Sequence, residues 1–393
     1  MVHLHIPGAG VAYCGVAVRA GSRNETDDIL GLAHFVEHTL FKGTTSRRAW
    51  HIINRMEAVG GELNAYTTKE ETVVYTAAPS GNLARAAELV SDIIYNSIFP
   101  YEELEKEREV VADEIDSYLD TPSEAIFDDF EDMMFAGSSL GHNILGTRKC
   151  LDTFHTDLCR DFMARWYTTQ NMVVFYAGNM SATRAFAVLD RAFRLQRNWA
   201  VERREEIVQA HVPVDIVKHI TSHQCHTVMG ARIGGMGSPD RYAMALLTNI
   251  LGGPGMNSLL NVALRERRGL VYNVDASTAV FSDCGALAIY YGCDPEDDAR
   301  CRRLVKRTIE SVADDYLTPS RLARAKKQYL GQLVVASENI ESRILNIAHS
   351  TLFKGRAATA AETIEGINSV TLDDIRTRAA ALLPLSSISL CPE

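Results

Sequence analysis

The chain has 393 residues, a formal charge of −10, and 46% hydrophobic, 23% charged and 8% aromatic content. These are ordinary globular values, and 26 glycines with 11 prolines are too few for a collagenous or low-complexity chain. Acidic residues outnumber basic ones by 50 to 40 and no basic stripe is present, which argues against nucleic acid as a partner. In chain order, Met1–Gly8 lacks the basic segment and apolar core of a signal peptide. An apolar strand is expected over Ala12–Ala20, and a Gly/Ser/charged turn leads from it into a helix over Leu32–Gly43. Glu62–Ala77 and Met172–Ala177 read as strand-like. Between them, Pro100 opens a long charged amphipathic helix, Tyr101–Leu119, at a position where its missing N–H is harmless. The composition changes sharply near Asn198–Val208, and the charge run Glu202–Glu206 reads as a solvated connector.

Beyond the connector come a strand over Thr227–Ile233, a helix over Tyr242–Gly253, strands over Val271–Val280 and Ala286–Gly292, and a helix over Ser320–Val335 behind Pro319. Tyr242–Leu264 is free of charge and long enough to span a bilayer. Its Gly252-Gly253-Pro254-Gly255 interruption, with Asn249, Asn257 and Ser258, predicts two buried helical segments around a glycine turn, and no membrane span. The eight cysteines are scattered without a CxxC pair, so a disulfide framework is not expected and a reducing cytoplasm fits.

The two halves repeat at an offset of about 210 residues. Each begins strand, turn, helix, and each later carries a long helix behind a proline. Strands and helices mix without the strict alternation of a doubly wound sheet, so the fold class is α+β, with two homologous domains at 1–203 and 204–393. The repeat differs at one place. His34, Glu37 and His38 stand opposite Met244, Leu247 and Thr248. A polar cluster needed only for folding would have been kept in both copies.

His34-Phe-Val-Glu-His38 is an inverted zincin pattern, HxxEH. On a helix, positions i and i+4 lie about 40° apart, so both imidazoles reach one zinc ion. Glu37 lies to the other side of His34, in place to take a proton from a water that the zinc activates. A catalytic site needs a third protein ligand. The helix Tyr101–Leu119 offers Glu103, Glu107 and Glu114 as carboxylates. Glu107 and Glu114 share a face two turns apart, so that one can ligate while the other supports a ligand.

These residues resemble the inverted-motif zinc peptidases: pitrilysin, insulysin, the mitochondrial processing peptidase and their small bacterial relatives. The resemblance runs through Ala20–Glu25, Gly31–Thr44, Gly61–Thr67, Leu140–Thr147 and Tyr167–Met172. It implies two α/β-sandwich domains of the processing-peptidase-like metallohydrolase fold and one zinc per chain. The implied ligands are His34, His38 and Glu114, the last 76 residues beyond His38, with Glu107 as the supporting glutamate. In Leu264–Tyr272 it selects Arg265 and Tyr272 as the pair that stabilises the scissile carbonyl or its oxyanion. Two features depart from the family. The N-terminus is short by about one strand, and a proline stands in Leu251–Ser258, a loop that is usually Gly/Ser-rich.

The expected activity is therefore zinc-dependent endopeptidase action on short or unfolded peptides, with Glu37 as general base. Two other readings stand beside it: a non-catalytic scaffold subunit of the same fold, and a non-peptidase zinc enzyme. A substrate peptide would add to the strand within Glu62–Tyr75, near Asn64, Ala65 and Tyr66, unless that strand is paired on both sides. Large members of the family hold two halves, each about this chain's size, with the zinc motif in the first half and the Arg–Tyr motif in the second. The resemblance thus implies a homodimeric clamshell in which Arg265 and Tyr272 of one chain serve the zinc of the other. His219, His223, Cys225 and His226 form a metal-rich stretch without a carboxylate pair nearby, and read as polar strand residues. His3 and His5 read as a solvated strand face, and His142 has no assigned role.

Overall fold

The computed structural model describes residues 1–194, 201, 208–209 and 211–392. The connector read at Asn198–Val208 lies outside these residues, except for Val201 and Val208. The first half contains β1 (Val2–His5), β2 (Val11–Val18), α1 (Leu32–Thr39), α2 (Ala49–Glu57), β3 (Glu62–Thr67), β4 (Thr72–Pro79), α3 (Leu83–Asn96), α4 (Tyr101–Leu119), α5 (Pro122–Met134), α6 (Arg148–Leu151), α7 (Thr156–Trp166), β5 (Met172–Gly178) and α8 (Ala182–Ala192). The second contains β6 (Asp215–Ile220), β7 (Cys225–Gly234), α9 (Arg241–Gly252), β8 (Val271–Val280), β9 (Cys284–Cys293), α10 (Asp298–Ala313), α11 (Pro319–Ala336), α12 (Ile340–Lys354), α13 (Ala360–Ser369), α14 (Leu372–Ala381) and β10 (Ser386–Pro392).

The two sheets have one topology. The first runs β1-β5-β2-β4-β3 and the second β6-β10-β7-β9-β8. In each, the first pair is parallel and the other pairs are antiparallel. The repeat read from the sequence is thus a repeat of the fold. β1 carries His3 and His5, read from the sequence as a strand face, and pairs with β5 just as β6 pairs with β10.

Two compact units are present. One comprises Met1–Ser117, His142–Glu206 and Ser337–Ala358, and the other Tyr118–Gly141, Ile207–Ala336 and Thr359–Glu393. Each unit therefore takes one segment from the opposite half of the chain. In the first unit, Cys14, Val16 and Val18 of β2 face a layer with α1, α3 and α7, while Ala17 faces the other way. That other face, with Val73, Tyr75, Val173 and Phe175, is covered by Ile344 and Ala348 of α12. In the second unit, Met229, Leu287 and Ile289 face α9, α10 and α14, and Val228, Ala288 and Ile388 are covered by Ile126 and Phe130 of α5. Burial on both faces explains why these strands read as continuous apolar runs rather than as alternating ones.

Glu62–Ala77, read as one strand-like segment, is the β3–β4 hairpin, and β3 lies at the outer edge of its sheet. Tyr242–Leu264 is α9, a glycine turn and the start of a helical turn, Asn261–Glu266. Among the described residues, no helix is long and apolar enough to cross a membrane. The cysteines contain one bonded pair that their scatter conceals. Cys225 and Cys391 form a disulfide, although 166 residues separate them. They are brought together because β7 and β10 are antiparallel neighbours.

Candidate metal centre

α1 is an eight-residue helix buried on every side except at Glu37 and His38. So short a helix is marginal alone and must be fixed from outside. Its first turn is held by Glu25, whose carboxylate accepts from the N–H groups of Gly31 at 2.8 Å and Ala33 at 2.6 Å. This is the favoured place for an acidic group, at the positive end of the helix. Gly31 has φ 92°, and a Cβ there would stand 2.4 Å from the Leu145 carbonyl oxygen. Gly146 has φ 72° and meets the Leu30 carbonyl in the same way. Only glycine at both positions lets the loop within Leu140–Thr147 cross so close to the helix start.

This anchoring points His34 and His38 at α4. His34 Nε2 lies 3.8 Å and His38 Nε2 3.5 Å from Glu114 Oε2. Each of the three residues offers one ligand atom within 4.8 Å of the others, and among the described residues this is the one such group of three or more. Zinc bonds of about 2.0–2.1 Å place tetrahedral ligand atoms about 3.3 Å apart, so the spacing suits one ion. Two imidazoles and a carboxylate are also a donor set that zinc accepts.

The protonation states fit the same use. Burial and the neighbouring His38 push the His34 imidazole down to about 3, which keeps it neutral. Burial alone would lower His38, but its hydrogen bond to Glu107 and the charges of Glu37, Glu114 and Glu107 hold it above its ordinary value. His38 Nδ1 donates to Glu107 Oε1 at 3.0 Å, leaving Nε2 for the metal. Burial pushes Glu37 above the usual carboxylate range, and the charge of Glu114 adds to this against the bond from Thr67 and the charge of His38.

The structure thus brings together His34, Glu37, His38, Glu107 and Glu114. Glu103, the third carboxylate weighed on α4, pairs instead with Lys106. Asn64, Ala65 and Tyr66 lie on the edge strand β3, beside α1. Arg265 and Tyr272 belong to the second unit. Arg265 is exposed, and Tyr272, at 62% exposure, sits where the β8 ladder skips from Val271 to Asn273. A bulge of that kind re-aims a side chain out of the sheet. The His219–His226 stretch gathers no metal ligands: Cys225 is in the disulfide, His226 pairs with the Tyr290 hydroxyl, and His219 donates to the Pro392 carbonyl. His3 donates to the Met180 carbonyl, and His142 lies 3.5 Å from Asp27.

Three contributors escaped the sequence reading. Lys42 pairs with Glu107 at 2.5 Å, Thr67 donates to Glu37 at 2.8 Å, and Glu25 caps α1. Glu25 had a signal, an acidic residue shortly before an apolar helix. Lys42 lies one turn beyond His38, on the same side as it. Thr67 had none beyond closing the Gly61–Thr67 motif.

Residues 1–148 match the family described as insulinase, peptidase family M16, and residues 155–329 match the peptidase M16 inactive domain. An uncharacterized zinc protease of Mycobacterium tuberculosis is 34% identical over 383 residues, covering 96% of this chain and 87% of that protein. The chain belongs to peptidase family M16. A second M16 relative, an uncharacterized zinc protease of Bacillus subtilis, is 30% identical over 374 residues, covering 94% of this chain and 89% of its own. The M16 fold recurs in the solved peptidase M16 inactive domain from Pseudomonas fluorescens, with a TM-score of 0.92 at 16% identity over 100% of this chain and 95% of that one. A protease from Helicobacter pylori matches with a TM-score of 0.90 at 18% identity over 99% and 96%. Membership makes the chain a relative of zinc proteases, with the processing-peptidase-like architecture expected from its motifs.

Proposed function

We propose that this chain is a zinc endopeptidase whose ligands are His34, His38 and Glu114, one ion per chain. The observation that carries the reading is the convergence of these three donors with Glu37 beside them and Glu107 behind His38. When bound, zinc supplies Lewis acidity that makes a water acidic enough to attack a peptide carbonyl at neutral pH. Glu37 takes the water's proton and passes it to the leaving amine. Its environment raises its pKa, which suits a group that must both accept and return a proton. Glu107 fixes the tautomer and ring orientation of His38.

A peptide would lie along β3 by main-chain hydrogen bonding, with Asn64, Ala65 and Tyr66 nearest the chemistry. The free outer edge of β3 supports this. Arg265 and Tyr272 would polarise the scissile carbonyl from a second copy of the chain in a homodimer, and their exposure in the second unit supports that role. The substrate class is short or unfolded peptides. The compartment is the cytoplasm, supported by the six cysteines that stay unpaired, with the Cys225–Cys391 bond standing against that reading. The test is metal analysis together with hydrolysis of a quenched fluorogenic peptide, with and without a chelator. One zinc per chain and chelator-sensitive cleavage are expected, with cleavage lost and zinc kept in Glu37→Gln. Cleavage that survives metal removal, or a fully active Glu37→Gln, overturns the reading.

A further inference from the structure

One motif that the metal centre does not use, Gly61–Thr67, ends at Glu37. Thr67 ends β3 and faces Thr72, which starts β4. The Thr67 hydroxyl donates to Glu37 Oε2 at 2.8 Å and stands 3.4 Å from the Thr72 hydroxyl. Thr72 is fully buried and gives its own proton to the Ala20 carbonyl at 2.9 Å. Each hydroxyl has one proton to give. With that of Thr72 committed to Ala20, Thr67 receives none from it, and Glu37, as a carboxylate base, can only accept, so Thr67 is the donor in their bond.

We propose that Thr67 is a positioning residue for Glu37, with Thr72 paired opposite it on the next strand. A glutamate side chain has three soft torsions, and a carboxylate that wanders over them meets its proton only part of the time. Thr67 ties one oxygen of the carboxylate, Oε2. It is well suited to this, because a β-branched side chain on a strand is stiff at χ1. Substrate would add to the same strand, so the residue that aims the base and the edge that receives the peptide are one rigid piece. Hydrogen bonding along β3 would tighten both together.

This inference rests on Glu37 being the general base, and the experiment separates the two. Thr67→Val keeps the shape and removes the hydroxyl; Thr67→Ala is the second variant should valine disturb the strand, and Thr67→Ser returns the donor. For Thr67→Val, kcat on the fluorogenic peptide is expected to fall about 10–100-fold, the usual cost of losing an outer support. KM should stay within about threefold, since the lost interaction does not bind substrate. Zinc content should match wild type, and Thr67→Ser should recover most of kcat. In a Glu37→Gln background Thr67→Val should cost nothing further, because residues acting as one unit are not additive. A crystal structure of Thr67→Val should show the Glu37 carboxylate turned from its wild-type position. An unchanged kcat, a change in KM alone, or an unmoved Glu37 overturns the proposal. If wild type itself shows no chelator-sensitive cleavage, the peptidase reading fails, and the Glu37 orientations in the two crystal structures still decide whether Thr67 holds it.

Discussion

Glu107 bridges His38 and Lys42, accepting from the imidazole Nδ1 at 3.0 Å with one oxygen and pairing with the ammonium at 2.5 Å through the other. Burial raises the pKa of this carboxyl, but its bonds to His38 and Lys42 outweigh that, so it is held below the usual carboxylate range. It therefore stays charged and keeps the His38 proton on Nδ1. Removing it in Glu107→Ala should weaken zinc binding about 10–100-fold. Glu107→Gln, which keeps an acceptor but loses the charge, should fall between Ala and wild type. Competition against a chromophoric chelator measures this, and equal affinity in all three proteins would dismiss the supporting role.

The protonation states predict how metal binding follows pH. His34 is neutral well below pH 7, with its pKa lowered to about 3, so it gives up no proton to the metal. His38 is held above its ordinary value of 6.5, so below that pH it is mostly protonated. Zinc must displace that proton, so binding near pH 6 should release protons, and affinity should weaken as the pH falls through the His38 pKa. Calorimetry in two buffers of different ionisation enthalpy counts the protons. A count near zero would contradict the assignment.

Arg265 and Tyr272 yield a complementation test. Glu37→Gln and Arg265→Ala proteins should each be nearly inactive. Mixed under conditions of subunit exchange, they should regain up to about a quarter of wild-type activity, because half the dimers are mixed and each has one intact site. No regain, with exchange verified by mass spectrometry, would place the Arg–Tyr pair in the same chain as its zinc or outside the reaction.

A stability prediction concerns the loop that follows α1. Asp92 on α3 accepts from Thr44 at 2.7 Å and Ser46 at 3.0 Å, and pairs with Arg47 at 2.5 Å. Burial raises its pKa, but the bonds from Asn96, Thr44, Arg47 and Ser46 outweigh this and depress it. An acid with a depressed folded pKa adds stability above its unfolded value and loses it as the pH falls through the folded one. Asp92→Asn should therefore cost about 1–3 kcal/mol at pH 7. The gap to wild type should narrow in acid, below the ordinary aspartate range near pH 3.8. Thermal unfolding from pH 7 to pH 3 reads the gap directly, and a gap that is constant with pH would rule out the ionised form as its source.

The candidate metal centre was legible in part through helical periodicity, while the choice of Glu114 as ligand came from the family resemblance. His34 and His38 lie one turn apart, and Glu107 and Glu114 two turns apart, so spacing alone puts each pair on one face. Periodicity names a face but not what lies opposite it. Thr67 meets Glu37 across 30 residues and Lys42 meets Glu107 across 65, and no local pattern records either encounter. The same limit explains the Cys225–Cys391 bond, which depends on strand order. The amphipathic character of α5 and α12 was equally open to view, but not the sheet each would cover.

That trade of helices has a consequence for biosynthesis. The first sheet is complete once β5 has been made, but its outer face stays bare until α12 is made, more than 160 residues later. α5, in turn, leaves the ribosome well before any strand of the sheet it will cover. The nascent chain therefore carries an uncovered apolar sheet face and an unpaired apolar helix through a long stretch of translation. Contacts so far apart in sequence form slowly and leave the chain open to aggregation meanwhile. Neither half should become a stable product when expressed alone, and the two expressed together should rescue each other, because each holds the cover the other lacks.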